Sequence, residues 1–311
     1  MTAKLVCVGD VVIDIAAKLD ALPAAGGDVL TESGGLFVGG AGYNVMVAAS
    51  RQGLPAVYGG AHGTGPFGDL ARAALREAGI SVAADPIPDA DTGWDVALTD
   101  ASGERTFITT VGAEARLSRE QLDPLAVEPG DFVFVSGYGL LQEPGRSAIT
   151  GWLSTLPSGV TVVTDPGPLV LDIPADTLAA VQDATTWWSC NLTEALADTG
   201  AASAEAAARL IADTGCGAVV RTGADGCVVA EPGGEPRAVP GFAVAAVDTN
   251  GAGDAHVGAF AAALASGLPP LDAARRANAS AAIAVTRIGP ATGPTLDEVD
   301  AFLASHGSAM R

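Results

Sequence analysis

Short apolar runs set off by glycine and proline recur along the whole chain. Leu5-Val6-Cys7-Val8 and Val11-Val12-Ile13-Asp14-Ile15 predict two strands near the start. Residues 20–38 are broken by Pro23, Gly26, Gly27, Gly34 and Gly35 around short apolar pieces, which is hairpin material. Gly39-Gly40-Ala41-Gly42-Tyr43-Asn44-Val45 opens a helix running to about Gln52 and closed by Gly53. A strand at Ala56–Gly60 and a helix over 65–78 follow. Further strands are expected at Ile80–Ala84, Trp94–Thr99 and Arg105–Val111, the last two joined by a turn at 100–104. From Phe132 onward, apolar strands at 132–136, 160–164, 187–190 and 218–222 alternate with helical stretches, and Cys227–Ala230 reads as a hairpin partner. Phe242–Val247 reads as one more strand, with helices beyond it at 271–287 and 296–305. The alternation predicts an α/β fold: a doubly wound, mainly parallel sheet flanked by helices, in one domain over residues 1–311. A small β-sheet lid is expected from segments within about 11–38 and 93–111.

In open α/β sheets ligands bind beyond the carboxyl ends of the strands, so polar residues there are the candidates. The central stretch is Asp248-Thr249-Asn250-Gly251-Ala252-Gly253-Asp254, where a helix begins with Val257, Phe260, Ala261 and Leu264 on one face. A helix N-terminus attracts phosphate, and Gly251 and Gly253 let an anion approach the backbone closely. An acid in such a cradle would repel phosphate, unless Asp254 is a base that takes a proton from an attacking hydroxyl. Residue types alone leave that reading and a simple first-turn acid both open. Asp14, set among apolar neighbours, is either a solvated turn group or a ligand for hydroxyls, since a carboxylate accepts two such bonds. Asn191-Leu192-Thr193-Glu194 puts an amide and a carboxylate three apart at a helix start, for which an N-cap with a capping-box acid is the simpler account.

Charge narrows the partners. The formal net charge is −20, which argues against nucleic acid. The lysines are Lys4 and Lys18, and no G-x-x-x-x-G-K-[ST] run exists, so phosphate must be held by backbone amides, Mg²⁺ and a few arginines. A dinucleotide fingerprint fails at residues 39–45 for want of the third glycine. No apolar run of eighteen residues and no basic-then-apolar leader is present, so a cytoplasmic protein without a membrane segment is expected. Cys7, Cys190, Cys216 and Cys227 are widely spaced in apolar segments and read as buried free thiols. The scattered histidines do not suggest zinc.

The run from Asp248 to Asp254 resembles the C-terminal signature of the ribokinase-like (PfkB) carbohydrate kinases, and Gly39 to Asn44 resembles their N-terminal one. The Asn191–Glu194 motif, the Asp165-Pro166 segment and the Thr222–Gly226 loop recur at the same relative positions. The resemblance implies a ribokinase-like fold and an ATP-dependent kinase acting on a primary hydroxyl. It makes Asp254 the catalytic base, with an anion hole at Gly251, Ala252 and Gly253. Asp14, Gly40 and Asn44 would bind the acceptor, and Glu143 is a weaker candidate for a further contact. Asn191, Thr222, Gly223, Gly226 and Asn278 would bind nucleotide, and Glu194 would position Mg²⁺ through water. Asp248 and Asn250 would help hold a monovalent cation, K⁺ in ribokinases, although Gly293 stands where a hydroxyl ligand is usual. The departures are Met46, Ala41 where ribokinases carry Lys, and His256, expected to alter packing more than chemistry. A sugar or a nucleoside remains open as the small-molecule acceptor, as does a non-catalytic sugar or nucleotide sensor on the same fold. A homodimer through the lid is a further implication.

Overall fold

The computed structural model describes residues 3–31, 34–101 and 105–306. The chain opens with β1 (Leu5–Cys7), β2 (Val12–Lys18), β3 (Gly34–Gly39) and α1 (Ala41–Arg51). Next come β4 (Ala56–Tyr58), α2 (Pro66–Glu77), β5 (Ser81–Val82), β6 (Trp94–Thr99), β7 (Arg105–Thr110) and the short α3 (Arg119–Leu122). The second half alternates through β8 (Phe132–Ser136), α4 (Gly145–Leu153), β9 (Thr161–Asp165), α5 (Ala175–Ala184) and β10 (Trp187–Asn191). It continues with α6 (Leu192–Thr199), α7 (Ala204–Ala212), β11 (Gly217–Arg221), β12 (Gly226–Ala230) and β13 (Arg237–Pro240). Three helices close it: α8 (Ala252–Ala265), α9 (Pro270–Ala284) and α10 (Leu296–His306).

Among the described residues a nine-stranded sheet runs β13-β12-β11-β10-β9-β8-β1-β4-β5, parallel from β11 to β5, with β12 and β13 antiparallel at one edge. Successive strand residues face opposite ways, so each strand feeds two cores. Leu5, Phe132, Phe134 and Trp187 pack with α1, α8 and α9 on one face, while Val6, Val133 and Trp188 pack with α4 and α7 on the other. Order reverses at β1, which lies between β8 and β4; such a switch point opens a crevice at the strands' carboxyl ends. A separate four-stranded sheet, β3-β2-β6-β7, carries the predicted early strands. Its β2 and β6 are parallel, and the other pairs are antiparallel.

Helices α1 and α8 approach unusually closely because Gly258 has no side chain. A Cβ there would lie 2.5 Å from the Val45 carbonyl oxygen and 2.8 Å from the Ala48 Cβ. One turn toward the N-terminus of α8, this contact brings Asp254 beside Asn44. Gly258→Val is therefore expected to cost ~1–3 kcal/mol through overpacking and to spread that pair. Urea unfolding and turnover, measured together, check both consequences.

Two local expectations fail. Phe242–Val247 is not a strand: after Pro240 the chain leaves the sheet edge, and Phe242 packs on Phe302 at 5.2 Å between ring centroids. The edge position is taken instead by β13, a short, mostly exposed strand ending in proline that periodicity does not flag. Of the hairpin expected over 20–38, only β3 forms a strand, paired along β2, and residues 32–33 lie outside the described part. The 100–104 turn lies mostly outside it too.

Candidate active site

The carboxyl ends of β1, β8, β9, β10 and β11 deliver Asp10, Ser136, Asp165, Asn191 and Arg221 to one crevice. The N-termini of α1 and α8 complete it. Gly251 caps α8 with φ +71°, a left-handed conformation natural to glycine, and a Cβ there would strike the Pro290 carbonyl. The first intrahelical bond is Ala255 N–H to the Gly251 carbonyl at 2.8 Å, so the amides of Gly253 and Asp254 precede the helical ladder. The Ala252 amide makes a long 3.3 Å bond back to Thr249. Gly253 lies over Arg221, with a Cβ position 3.4 Å from the guanidinium. Amides at a helix start and a largely buried cation thus lie side by side.

Asp254 is half-buried just inside this helix start, and Asn44 Nδ2 donates to its Oδ2 at 2.8 Å. Burial raises its carboxyl to about 7, with the Asp165 and Asp10 charges adding to the rise, while Asn44 and Arg221 oppose it. A general base is most effective with a pKa near the working pH. Asp14 is likewise raised to about 7, by burial first and then by the neighbouring carboxyl of Asp95. Gly39 makes room for Asp14, since a Cβ there would sit 2.6 Å from its Oδ2. Gly40 has φ +90° because Asp10 lies beneath it, 2.8 Å from the Cβ position to the Asp10 carbonyl. Burial raises the Asp10 carboxyl, while the nearby Ser136 hydroxyl and Ala41 amide pull it down.

Arg221 Nη2 lies 3.0 Å from Asp165 Oδ2 and 3.8 Å from Glu194 Oε2, and Nη1 donates to Ser189 Oγ at 2.7 Å. Burial works against its charge, yet Asp165 and Glu194 hold it protonated. Glu194 is pushed up by burial and by Asp165, against the pull of Arg221. Two buried carboxylates therefore share one guanidinium. Asn191 and Glu194 form the complete capping box: Asn191 N–H donates to Glu194 Oε2 at 2.8 Å, and Glu194 N–H to Asn191 Oδ1 at 2.9 Å. The simpler account of that motif is thus realised, with Glu194 also in the charge cluster. Hard oxygen donors of this kind suit Mg²⁺ held through water. Among the described residues no three His, Cys, Asp or Glu converge as a dedicated metal cage.

The loop Thr222–Gly226 turns back into β12. Gly226 at φ +103° abuts the Val239 carbonyl, while the Cβ position of Gly223 opens onto empty space. Asn278 is buried and fully engaged within the protein. Its Nδ2 donates to the Val239 and Pro240 carbonyls at 3.0 and 3.1 Å, and its Oδ1 meets His256 Nε2 at 3.1 Å. Its side chain thus ties α9 to β13 and α8, and a direct adenine contact would have to displace these bonds. Burial lowers His256 to about 3, leaving it a neutral packing residue. Glu143 does not join the cluster: it is exposed, and Arg146 Nε and Ser147 Oγ each bond it at 2.9 Å. Asp248 accepts from the Asn250 amide at 2.9 Å and the Gly289 amide at 3.0 Å, clasping the two loops together. The carbonyls of Ala291 and Gly293 accept from Arg51, and that of Thr292 from Arg287.

Sequence reasoning missed Arg221, Asp10 and Asp95. The available signal was a charge ending an apolar strand at Arg221, and a second acid near Asp14 at Asp10. Asp95 becomes visible only once β2 and β6 are paired.

The sequence profile of the pfkB family carbohydrate kinases matches residues 2–297. The chain is 34% identical over 311 residues to the uncharacterised sugar kinase YegV of Escherichia coli, covering 95% of this chain and 92% of that protein. It is 30% identical over 302 residues to the ATP-dependent ribose-1-phosphate kinase of Halopiger xanaduensis, covering 96% and 98%. Among solved structures, ribokinase from Thermotoga maritima superposes with a TM-score of 0.82 at 26% identity, covering 97% and 99% of the two chains. The chain belongs to the pfkB family of carbohydrate kinases, with the ribokinase-like fold.

Proposed function

We propose that the protein transfers the γ-phosphoryl group of ATP to a primary hydroxyl of an uncharged sugar or nucleoside. The observation that carries this is Asp254, half-buried at a glycine-capped helix start, held by Asn44 and raised to about 7. Asp254 takes the hydroxyl proton as the oxygen attacks. The amides at Gly251, Ala252 and Gly253, with Arg221 beneath, stabilise charge on the group in transit. Asp14, Gly40 and Asn44 orient the acceptor; Thr222, Gly223 and Gly226 line the nucleotide side. Mg²⁺ near Asn191 and Glu194 would supply the remaining neutralisation of the phosphates. The small sheet serves as a lid over the acceptor within a single domain spanning the chain. Leu36 and Ile108, register-aligned through Ile15 and Val96, are exposed on its other face, which supports pairing of two copies there. Among the described residues no helix is long and apolar enough to cross a membrane.

The clasp at Asp248 and the arginine-held carbonyls at 291–293 support a loop ordered by protein donors in place of a monovalent cation. Turnover in K⁺, Na⁺ or a large organic cation is expected to agree within about twofold, as fits hydrogen bonds already satisfied internally. ADP release with ATP and Mg²⁺ against ribose, fructose, other sugars and nucleosides tests the main reading. Turnover with one acceptor supports it; tight acceptor binding without turnover would favour a sensor.

A further inference from the structure

Four residues stand in register across the small sheet: Phe37 on β3, Asp14 on β2, Asp95 on β6 and Thr109 on β7. Directly paired residues project to one face of a sheet, so Asp95 shares the face on which Asp14 meets the acceptor crevice. The two carboxyl groups are in hydrogen-bonding contact. Neighbouring carboxylates on one face resist ionising together, which favours a proton shared by the pair. Asp95 is 8% exposed, and its Oδ1 is buried without a hydrogen-bond partner. A buried acceptor atom of that kind calls for a donor. The charged groups acting on Asp14 besides Asp95 are Asp10 and Asp254, all of one sign.

We infer that Asp95 is a specificity-determining residue: with Asp14 it grips two adjacent hydrogen-bond donors of the acceptor, and the pair admits uncharged or cationic acceptors while rejecting phosphorylated or carboxylated ones. This rests on the kinase reading for the location of the acceptor. A vicinal diol or an amino alcohol satisfies Asp95 Oδ1 and the shared proton together. A phosphate or carboxylate would lie against Asp10, Asp14, Asp95 and Asp254. The chain would then differ from its Halopiger relative, whose name specifies ribose 1-phosphate.

The test uses Asp95→Ala and the isosteric Asp95→Asn, with ATP affinity as the control for folding. The probes are ribose, fructose, uridine, adenosine and glucosamine, against ribose 1-phosphate and gluconate. Acceptor KM is expected to rise ~10–100-fold in both variants, the loss of a hydrogen bond to a charged group, with kcat within about threefold. Ribose 1-phosphate should be inert with the wild type and gain on the neutral acceptors in Asp95→Ala. A KM change below about twofold in both variants would overturn the proposal, as would a wild type that takes ribose 1-phosphate as readily as a neutral sugar. Calorimetric titration of acceptor in the presence of a non-hydrolysable ATP analogue reads the grip without turnover. If the wild type binds an acceptor but transfers nothing, the kinase reading fails, and the calorimetric affinities of the variants still decide the role of Asp95. No binding by any neutral or cationic probe would overturn the proposal outright.

Discussion

Replacing Asp254 with Asn is expected to lower kcat by ~10²–10⁴-fold while nucleotide affinity holds within about twofold. Asn keeps the shape and can still bond Asn44 after an amide flip, but it cannot take a proton. The wild-type rate should itself rise with pH through about 7, where the Asp254 carboxyl ionises, and the variant should lack that limb. A stability signature accompanies the kinetic one. The folded pKa of Asp254 lies above its unfolded value near 3.8, so the folded state holds this proton more tightly. The stability it confers is complete below the unfolded pKa and is lost as pH rises through about 7. Asp254→Asn should therefore melt above the wild type at pH 8, and the gap should close toward pH 4. A residue placed for packing would instead leave the protein less stable when replaced.

Arg221→Met has the largest expected effect on stability, a loss of ~3–5 kcal/mol, because Asp165 and Glu194 would be left buried without their cation. All three side chains are at most 12% exposed, so water does not screen the cluster. Glu194, already pushed up by burial, would respond by taking up a proton, so the deficit should be smaller at pH 5 than at pH 8. Turnover should fall as well, since the guanidinium lies directly beneath Gly253. Urea unfolding at the two pH values separates this from simple loss of side-chain volume, which would cost the same at both.

Much of the architecture was legible because apolar runs and glycine punctuation agree with the fold wherever a strand is buried on both faces, as at Phe132–Ser136 and Gly217–Arg221. It was least legible at the sheet edge. There Phe242–Val247 has strand-like residues but no neighbouring strand, and β13 has the neighbour but not the residues. The glycines at 40, 251 and 253 could be singled out because backbone approach and positive φ need residues of that type. The charge partners could not. Asp95 reaches Asp14 only through the parallel pairing of β2 and β6, and Arg221 reaches Asp165 and Glu194 only across three neighbouring strands. Glu143 and Asn278 show the converse: position along the chain does not reveal that their side chains engage Arg146 and Ser147, or His256 and β13.

The crevice is expected to move a phosphoryl group from ATP to an acceptor hydroxyl. Mixing protein, Mg²⁺ and γ-labelled ATP with the best acceptor of the panel and following the label tests this. Label should appear on the primary hydroxyl of the acceptor with the wild type, and stay on ATP with Asp254→Asn. Release of label only as inorganic phosphate, or equal transfer by the variant, would contradict it.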